Sequence, residues 1–226
     1  DLLEKLCHIS ELDRIRLLYA YPGRITARLI AMIRDREQIC NYIDIPVQHI
    51  DNEILKSMGR RDHEEEIRRL FGNLRDQVPE IYIRSTVMVG FPGESEAAFR
   101  KLLDFIATGQ IDYLGAFTFW PEPGSRAAEL PGQVAEELKR ERLETLLETQ
   151  RQVTEKRLRR EVGRRHKVLI EGLSQESDLL LQGRTSFQAP EIDGTTYITE
   201  GETETGKLVE VEIHDCHEFD LFARIV

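Results

Sequence analysis

Along the first 120 residues, short runs of β-branched and aromatic residues alternate with longer stretches whose apolar positions recur at helical spacing. The runs are Ile15-Arg16-Leu17-Leu18-Tyr19-Ala20, Tyr42-Ile43-Asp44-Ile45-Pro46-Val47, Ile81-Tyr82-Ile83-Arg84-Ser85-Thr86-Val87-Met88-Val89 and Tyr113-Leu114-Gly115-Ala116-Phe117-Thr118-Phe119. They read as four strands, because such residues fit a pleated, half-buried surface. The amphipathic stretches between them, at about 25–36, 51–78 and 95–108, are each long enough to carry a crossover, so the strands should be parallel and connected right-handedly. Four βα units are too few to close an eight-stranded barrel but fit the later half of a larger, open one.

After Trp120-Pro121-Glu122-Pro123-Gly124 the pattern becomes irregular, and a charged helix follows from about 133 to 161. Leu143, Leu146, Leu147, Gln150 and Val153 keep one stripe, while the pairs Glu136/Arg140 and Glu155/Arg159 lie four apart outside it. Gly163 ends this helix. Beyond it, short alternating runs at 166–171, 179–185, 196–199, 207–214 and 219–226 are punctuated by Gly172, Gly183, Gly194, Gly201 and Gly206. Five such strands in so short a span predict a small antiparallel barrel of the OB-like kind. The fold class is thus α/β plus all-β. Three parts are predicted: 1–132, part of a large α/β barrel; 133–162, a connecting helix; and 163–226, the small barrel.

Composition sharpens this picture. With 226 residues and 40% apolar content the chain can bury an ordinary core. It contains no run of eighteen apolar residues and no signal-type start, which leads to the expectation of a soluble, cytoplasmic protein with no membrane partner. It begins without Met in what reads as helix, so a piece of a longer polypeptide is expected. The net charge is −10, and six basic against thirteen acidic side chains place −7 of it in the small barrel. Affinity for nucleic acid comes chiefly from clustered Lys and Arg, so this balance favours a basic protein as partner. Cys7, Cys40 and Cys216 form no C-x-x-C or C-x-x-x-C pair and read as reduced, structural thiols.

Parallel α/β folds place their sites at the C-terminal ends of the strands, where loops and helix N-termini aim backbone N–H groups at a ligand. Two segments stand there. Ile45-Pro46-Val47-Gln48-His49 brings an amide and an imidazole to the rim, and Gly90-Phe91-Pro92-Gly93-Glu94-Ser95 runs into a helix with Glu94 or Ser95 as its cap. Glycine at 90 and 93 would let a ligand approach the main chain, and Arg84, lower on the same strand, is placed to meet a carboxylate inside the barrel. In His214-x-Cys216-His217, alternation puts 214 and 216 on one face and 217 on the other, an awkward metal site. Asp104, Asp112 and the acidic runs at 64–66 and 200–204 read as caps or solvated faces.

Leu18-Tyr19-Ala20-Tyr21-Pro22, Tyr42 through His49, Leu55-Lys56-Ser57-Met58-Gly59-Arg60-Arg61, Arg84 through Glu94, Gly183-Arg184-Thr185 and Ala189-Pro190-Glu191-Ile192-Asp193-Gly194 together resemble the radical S-adenosylmethionine methylthiotransferase family over nearly the whole chain. Pro46-Val47-Gln48-His49, in place of a Pro-x-Gln-Ser-Gly, resembles the branch that methylthiolates an aspartate of ribosomal protein S-twelve rather than the tRNA-modifying branch. The small barrel then resembles a TRAM domain. The resemblance implies an enzyme that uses S-adenosylmethionine and two 4Fe–4S clusters. Its cluster ligands are cysteines of an N-terminal domain and of a C-x-x-x-C-x-x-C loop, and this sequence contains no such loop. The chain alone is therefore expected to be inactive, with no catalytic residue and no metal ligand to assign. Gln48, Arg84, Gly90, Gly93 and Glu94 are carried over as cofactor-binding. Two rivals remain: a tRNA adenosine methylthiotransferase, which the acidic small barrel disfavours, and a non-catalytic module that docks on the ribosomal protein.

Overall fold

The computed structural model describes residues 1–174, 177 and 180–226. A short helix α1 (Leu2–Leu6) leads into a sheet of β1 (Ile15–Leu17), β2 (Ile39–Asp44), β3 (Tyr82–Val89) and β4 (Tyr113–Thr118), parallel throughout and in sequential order. The helices α2 (Ala27–Asp35), α3 (Asn52–Ser57), α4 (Glu64–Gln77) and α5 (Glu96–Ala107) fill the crossovers, and α6 (Glu136–Leu158) follows β4. Their starts are set locally: Thr26, Asp51 and Ser95 each accept hydrogen bonds from backbone N–H groups of the first turn. One parity of the strands, Ile43, Ile83, Val87 and Val89, packs with Phe71, Leu102, Phe105 and Ile106 of the helices in the main core. The other parity, Tyr82, Arg84, Thr86 and Met88 in β3, faces the inner side of the sheet.

The departures from the sequence pattern have physical causes. The strand expected over 15–20 stops at Leu17, and Tyr19 takes a left-handed backbone conformation (φ 56°). The strand expected over 42–47 begins earlier, at Ile39. The single helix expected over 51–78 is two, because Gly59 (φ 75°) ends α3 in the left-handed conformation that favours glycine. Asp112 is no solvated cap: it is buried, accepts from Arg75 Nη2 and Ile83 N at 2.6 Å each, and meets Arg157 Nε at 3.2 Å. Along α6 the buried residues are Lys139, Arg142, Leu146, Gln150, Thr154 and Leu158, whereas Leu147 is exposed. The inward face of α6 is thus largely polar, rotated from the apolar stripe read in the sequence.

The second part is a closed barrel of β5 (Arg165–Leu173), β6 (Leu181–Arg184), β7 (Thr196–Glu200), β8 (Leu208–His217) and β9 (Asp220–Ile225), in the order β5-β6-β7-β9-β8. All pairings are antiparallel except β7 with β9. Leu179, the first residue of the strand expected over 179–185, lies outside the described residues. In β8 the register shifts between Ile213 and Asp215, so His214 points out to Thr199 Oγ1 at 2.8 Å while Cys216 is buried in the barrel core. A bulge reverses the alternation, and the expectation that 214 and 216 share a face is corrected.

The two parts share a core. Cys40, Tyr42, Tyr82 and Tyr113 from the sheet cluster with Val168, Ile170, Phe187, Ile213 and Leu221 of the small barrel, and Phe187 stacks on Tyr82 at 4.3 Å between ring centroids. At the edge of this junction Glu161 accepts from Tyr82 Oη at 2.8 Å and contacts His166 Nε2 at 3.0 Å. Burial opposes ionisation of Glu161, but the bonds from His166 and Tyr82 outweigh it and hold the carboxyl below the ordinary carboxylate range. A depressed folded-state pKa contributes stability that is present above the unfolded value, about 4.3, and lost as pH falls through the folded one. Glu161→Gln should therefore flatten the acid limb of a plot of urea midpoint against pH. An acid limb identical to that of the parent protein would exclude this role.

Candidate functional site

Beyond β2 the chain continues as Ile45-Pro46-Val47-Gln48 across the top of the sheet. Gln48 N donates to Thr86 O at 2.9 Å and Met88 N donates to Gln48 O at 2.8 Å, which stitches this loop to β3 while Gln48 holds φ 69°. A left-handed backbone is uncommon outside glycine and concentrates at functional positions. The half-buried Gln48 amide makes no side-chain hydrogen bond among the described residues, so both its donors and its acceptor are open to a ligand.

His49, next in the chain, is fully buried. Its Nδ1 accepts from Asp51 N at 2.9 Å, so the proton of the neutral ring resides on Nε2, which faces Glu94 Oε2 at 3.4 Å. Glu94 Oε2 also accepts from Gly90 N at 2.9 Å, and Oε1 takes a 2.7 Å bond from Arg142 Nη1. Ser95, not Glu94, caps α5. The two rim loops and α6 are thereby locked through one buried carboxylate. Gly90 (φ 74°) leaves space for the stem of Lys139, which a Cβ would strike, and Gly93 N donates to Gly132 O at 2.9 Å. At Gly90 the turn is closed by Lys139 of α6, whereas a Cβ on Gly93 would meet nothing within 4 Å, so there the left-handed backbone (φ 84°) calls for glycine.

Arg84 lies below the rim on the inner face. Its Nη1 donates to Thr86 Oγ1 at 3.0 Å and to Asp44 Oδ1 at 3.3 Å, and its Nε stands 3.4 Å from Asp193 Oδ1 of the small barrel. The Nη2 atom lies against Gly115 of β4, where a Cβ would come within 2.9 Å, and has no hydrogen-bond partner among the described residues. Asp44 Oδ2 also accepts from Tyr19 N at 3.0 Å, holding the turn after β1. Gln48 and Glu94 are thus joined through His49 and through β3, and among the described residues no side-chain bond joins Arg84 to either. Asp44 and Arg142 were not singled out in the sequence. An aspartate ending a strand between Ile43 and Ile45 was a signal for the first; nothing distinguished Arg142 from its charged neighbours.

Tyr19 and Tyr21 from the segment leaving β1, Phe117 of β4 and Trp120 just beyond it are exposed, Tyr19 and Trp120 by 78% and 70%. Large aromatics left open beside a polar cup fit a macromolecular surface better than a small ligand alone. The thiols offer no cluster site. Cys7 packs on the main core and Cys40 and Cys216 lie in the shared core, where burial raises the Cys216 thiol against thiolate formation. Among the described residues no three His, Cys, Asp or Glu side chains are gathered to hold a metal. The donor set does not fit a 4Fe–4S cluster, which needs thiolates.

A parallel βα sheet with its polar cup on the inner face, followed by a closed five-stranded barrel, defines a radical SAM fold joined to a TRAM module. The Radical SAM superfamily model matches residues 1–106 and the TRAM domain model residues 162–226. Coproporphyrinogen III oxidase (HemN) from Escherichia coli, a radical SAM enzyme, shares the fold at a TM-score of 0.54 and 18% identity, over 67% of this chain and 36% of that one. The chain belongs to the radical SAM methylthiotransferase family, on its RimO branch. It is 46% identical to the ribosomal protein uS12 methylthiotransferase RimO of Geobacter sulfurreducens and to that of Trichlorobacter lovleyi, and 38% identical to that of Protochlamydia amoebophila, each over 100% of this chain. It spans about half the length of these relatives, 50%, 50% and 48%.

Proposed function

We propose that the chain is part of a methylthiotransferase that adds a methylthio group to the β-carbon of an aspartate in ribosomal protein uS12, working in the cytoplasm with S-adenosylmethionine and two 4Fe–4S clusters. The observation that carries this reading is the likeness to uS12 methylthiotransferases along the whole chain at 46% identity. S-adenosylmethionine, when bound to a cluster, supplies the radical chemistry, and the protein supplies position and electrostatics. In this reading these residues supply no cluster ligand. What these residues contribute is the later half of the cup.

In this reading Gln48 binds the cofactor through its open amide and Arg84 through its open Nη2. Glu94, with Gly90 and Gly93, holds the rim loops in register through His49 and Arg142. The small barrel exposes Glu200, Glu202, Glu204, Glu210 and Asp215. Such a surface repels phosphate and attracts a basic ribosomal protein, which disfavours tRNA as the substrate. No helix is long and apolar enough to cross a membrane among the described residues.

The test is mass spectrometry of uS12 from a strain lacking the gene, complemented by the parent protein or by Gln48→Ala. Loss of the methylthio increment on deletion and its return with the parent protein are expected. The alanine variant, removing the amide's hydrogen bonds to ligand, should lower the modification rate roughly tenfold at equal protein level. Unchanged uS12 together with loss of a methylthio group from tRNA nucleosides would transfer the protein to the tRNA-modifying branch.

A further inference from the structure

The segment joining β6 to β7 contains Ala189-Pro190-Glu191-Ile192-Asp193-Gly194, a motif that nothing in the rim chemistry uses. It leaves the small barrel and enters the inner face of the parallel sheet. It is fixed on several sides: Arg16 Nη1 donates to Ser186 O at 2.8 Å, Phe187 stacks on Tyr82, and the buried Gln188 Oε1 accepts from the hydroxyls of Thr185 and Thr196. At its tip the Asp193 side chain is fully buried. Asp193 Oδ2 accepts from Ala189 N at 2.8 Å and from the hydroxyl of Tyr42, on β2, at 2.7 Å. Burial pushes the carboxyl above its ordinary range, opposed by the Ala189 N–H, the Tyr42 hydroxyl and the Arg84 charge.

The second oxygen, Oδ1, faces Arg84 Nε at 3.4 Å, and neither atom has a hydrogen-bond partner among the described residues. Each therefore depends on the other for its electrostatic compensation in a region shielded from water. A guanidinium is a planar fork, so restraining Nε and Nη1 fixes where Nη2 lies. Asp44 and Thr86 restrain Nη1 from within the sheet, and the small barrel restrains Nε. Gly115 completes the arrangement, since any side chain there would displace Nη2.

We propose that Asp193 is a positioning residue lent by the small barrel to the sheet: it orients Arg84 so that the Nη2 edge is presented to an anionic group in the cup. The small barrel then forms the floor of the ligand site in addition to docking a partner. The value of this orientation to a ligand rests on the reading of the cup given above; the coupling of Asp193 to Arg84 does not.

The informative variant is Asp193→Asn, which keeps an oxygen for Tyr42 and Ala189 and removes the charge. In the full chain labelled with ¹⁵N, the Arg84 Nε–Hε resonance, assigned by its loss in Arg84→Lys, should be well dispersed and protected from solvent exchange. Asp193→Asn should move it toward the free-arginine position and speed its exchange, in a chain whose cooperative thermal transition, at a lower midpoint, shows that it still folds. Tyr42→Phe, which removes a hydroxyl donor and no charge, should leave it near its original position. An Arg84 resonance unaffected by Asp193→Asn would overturn the proposal and reduce Asp193 to a contact between the two parts. S-adenosylmethionine added to the same samples separates the two readings. A roughly tenfold weaker affinity in Asp193→Asn is expected where a charge-assisted bond is misplaced. Equal affinity in both would overturn the presentation of Nη2. A perturbed Arg84 resonance with no binding to the parent chain would support the positioning of Arg84 and sink the ligand reading of the cup.

Discussion

Arg142→Ala is expected to destabilise the protein by about 3–5 kcal/mol, because removing one partner of a buried ion pair leaves the other charge without compensation. Glu94, whose side chain is fully buried, would keep only Gly90 N and the His49 ring, and the Arg142 guanidinium would also be lost from over the Phe99 ring, 5.2 Å from its centroid. Urea unfolding should show a lower midpoint with an unchanged slope, since the surface exposed on unfolding is the same. Glu94→Gln keeps one acceptor oxygen and turns an NH2 toward either Gly90 N or Arg142, so it should lower the midpoint as well. A Glu94→Gln midpoint equal to that of the parent would show that the charge on Glu94 has no part in the lock. The functional effect should follow the structural one: the clamp joins α6 to both rim loops, so Arg142→Ala should loosen the backbone around Gln48, visible as faster amide exchange at Gln48 and Met88.

The second large effect is expected at Asp112. Its carboxylate sits between Arg75 and Arg157 and also accepts from Ile83 N, tying α4, α6 and β3 together at the lower end of the sheet. Asp112→Ala removes the shared anion from two partly buried guanidinium groups, which should again cost about 3–5 kcal/mol. Arg157 retains its place over the Tyr82 ring, 4.4 Å from the centroid, and Arg75 its bonds to Ile81 O and Gln110 O, so both cations lose their counter-charge while the Ile83 N–H is left unpaired. Asp112→Ala in an Arg75→Met background should be less destructive than in the parent, because the uncompensated cation has been removed as well. Additive losses in that cycle would show that Asp112 and Arg75 do not act as a pair.

The candidate site was partly legible. Gln48, Gly90, Gly93 and Glu94 stand where strand-end loops are expected, and that position follows from local pattern. Their division of labour does not. Glu94 and Gly90 face a packed helix, yet Gly and a carboxylate at a βα turn are the same in sequence whether they face a ligand or a helix. What separates the cases is α6, about fifty residues downstream, whose Lys139 and Arg142 look like surface residues of a charged helix. The His214–Cys216 expectation failed because one extra residue in a strand reverses every alternation beyond it, and bulges carry no reliable local signature.

By itself the amino-acid sequence determined the alternation of strands and helices, the parallel connection of the first four strands, the glycine-punctuated second barrel and the acidity of that barrel. Each of these depends on residues close together in the chain, where side-chain period and backbone preference act directly. The tertiary structure decided which charges are buried and with whom: Glu94 with Arg142, Asp112 with Arg75 and Arg157, Arg84 between Asp44 and Asp193. Those pairings join residues far apart in sequence. A charge in water and a charge in the core are written with the same letter, and only packing removes the water that makes the difference.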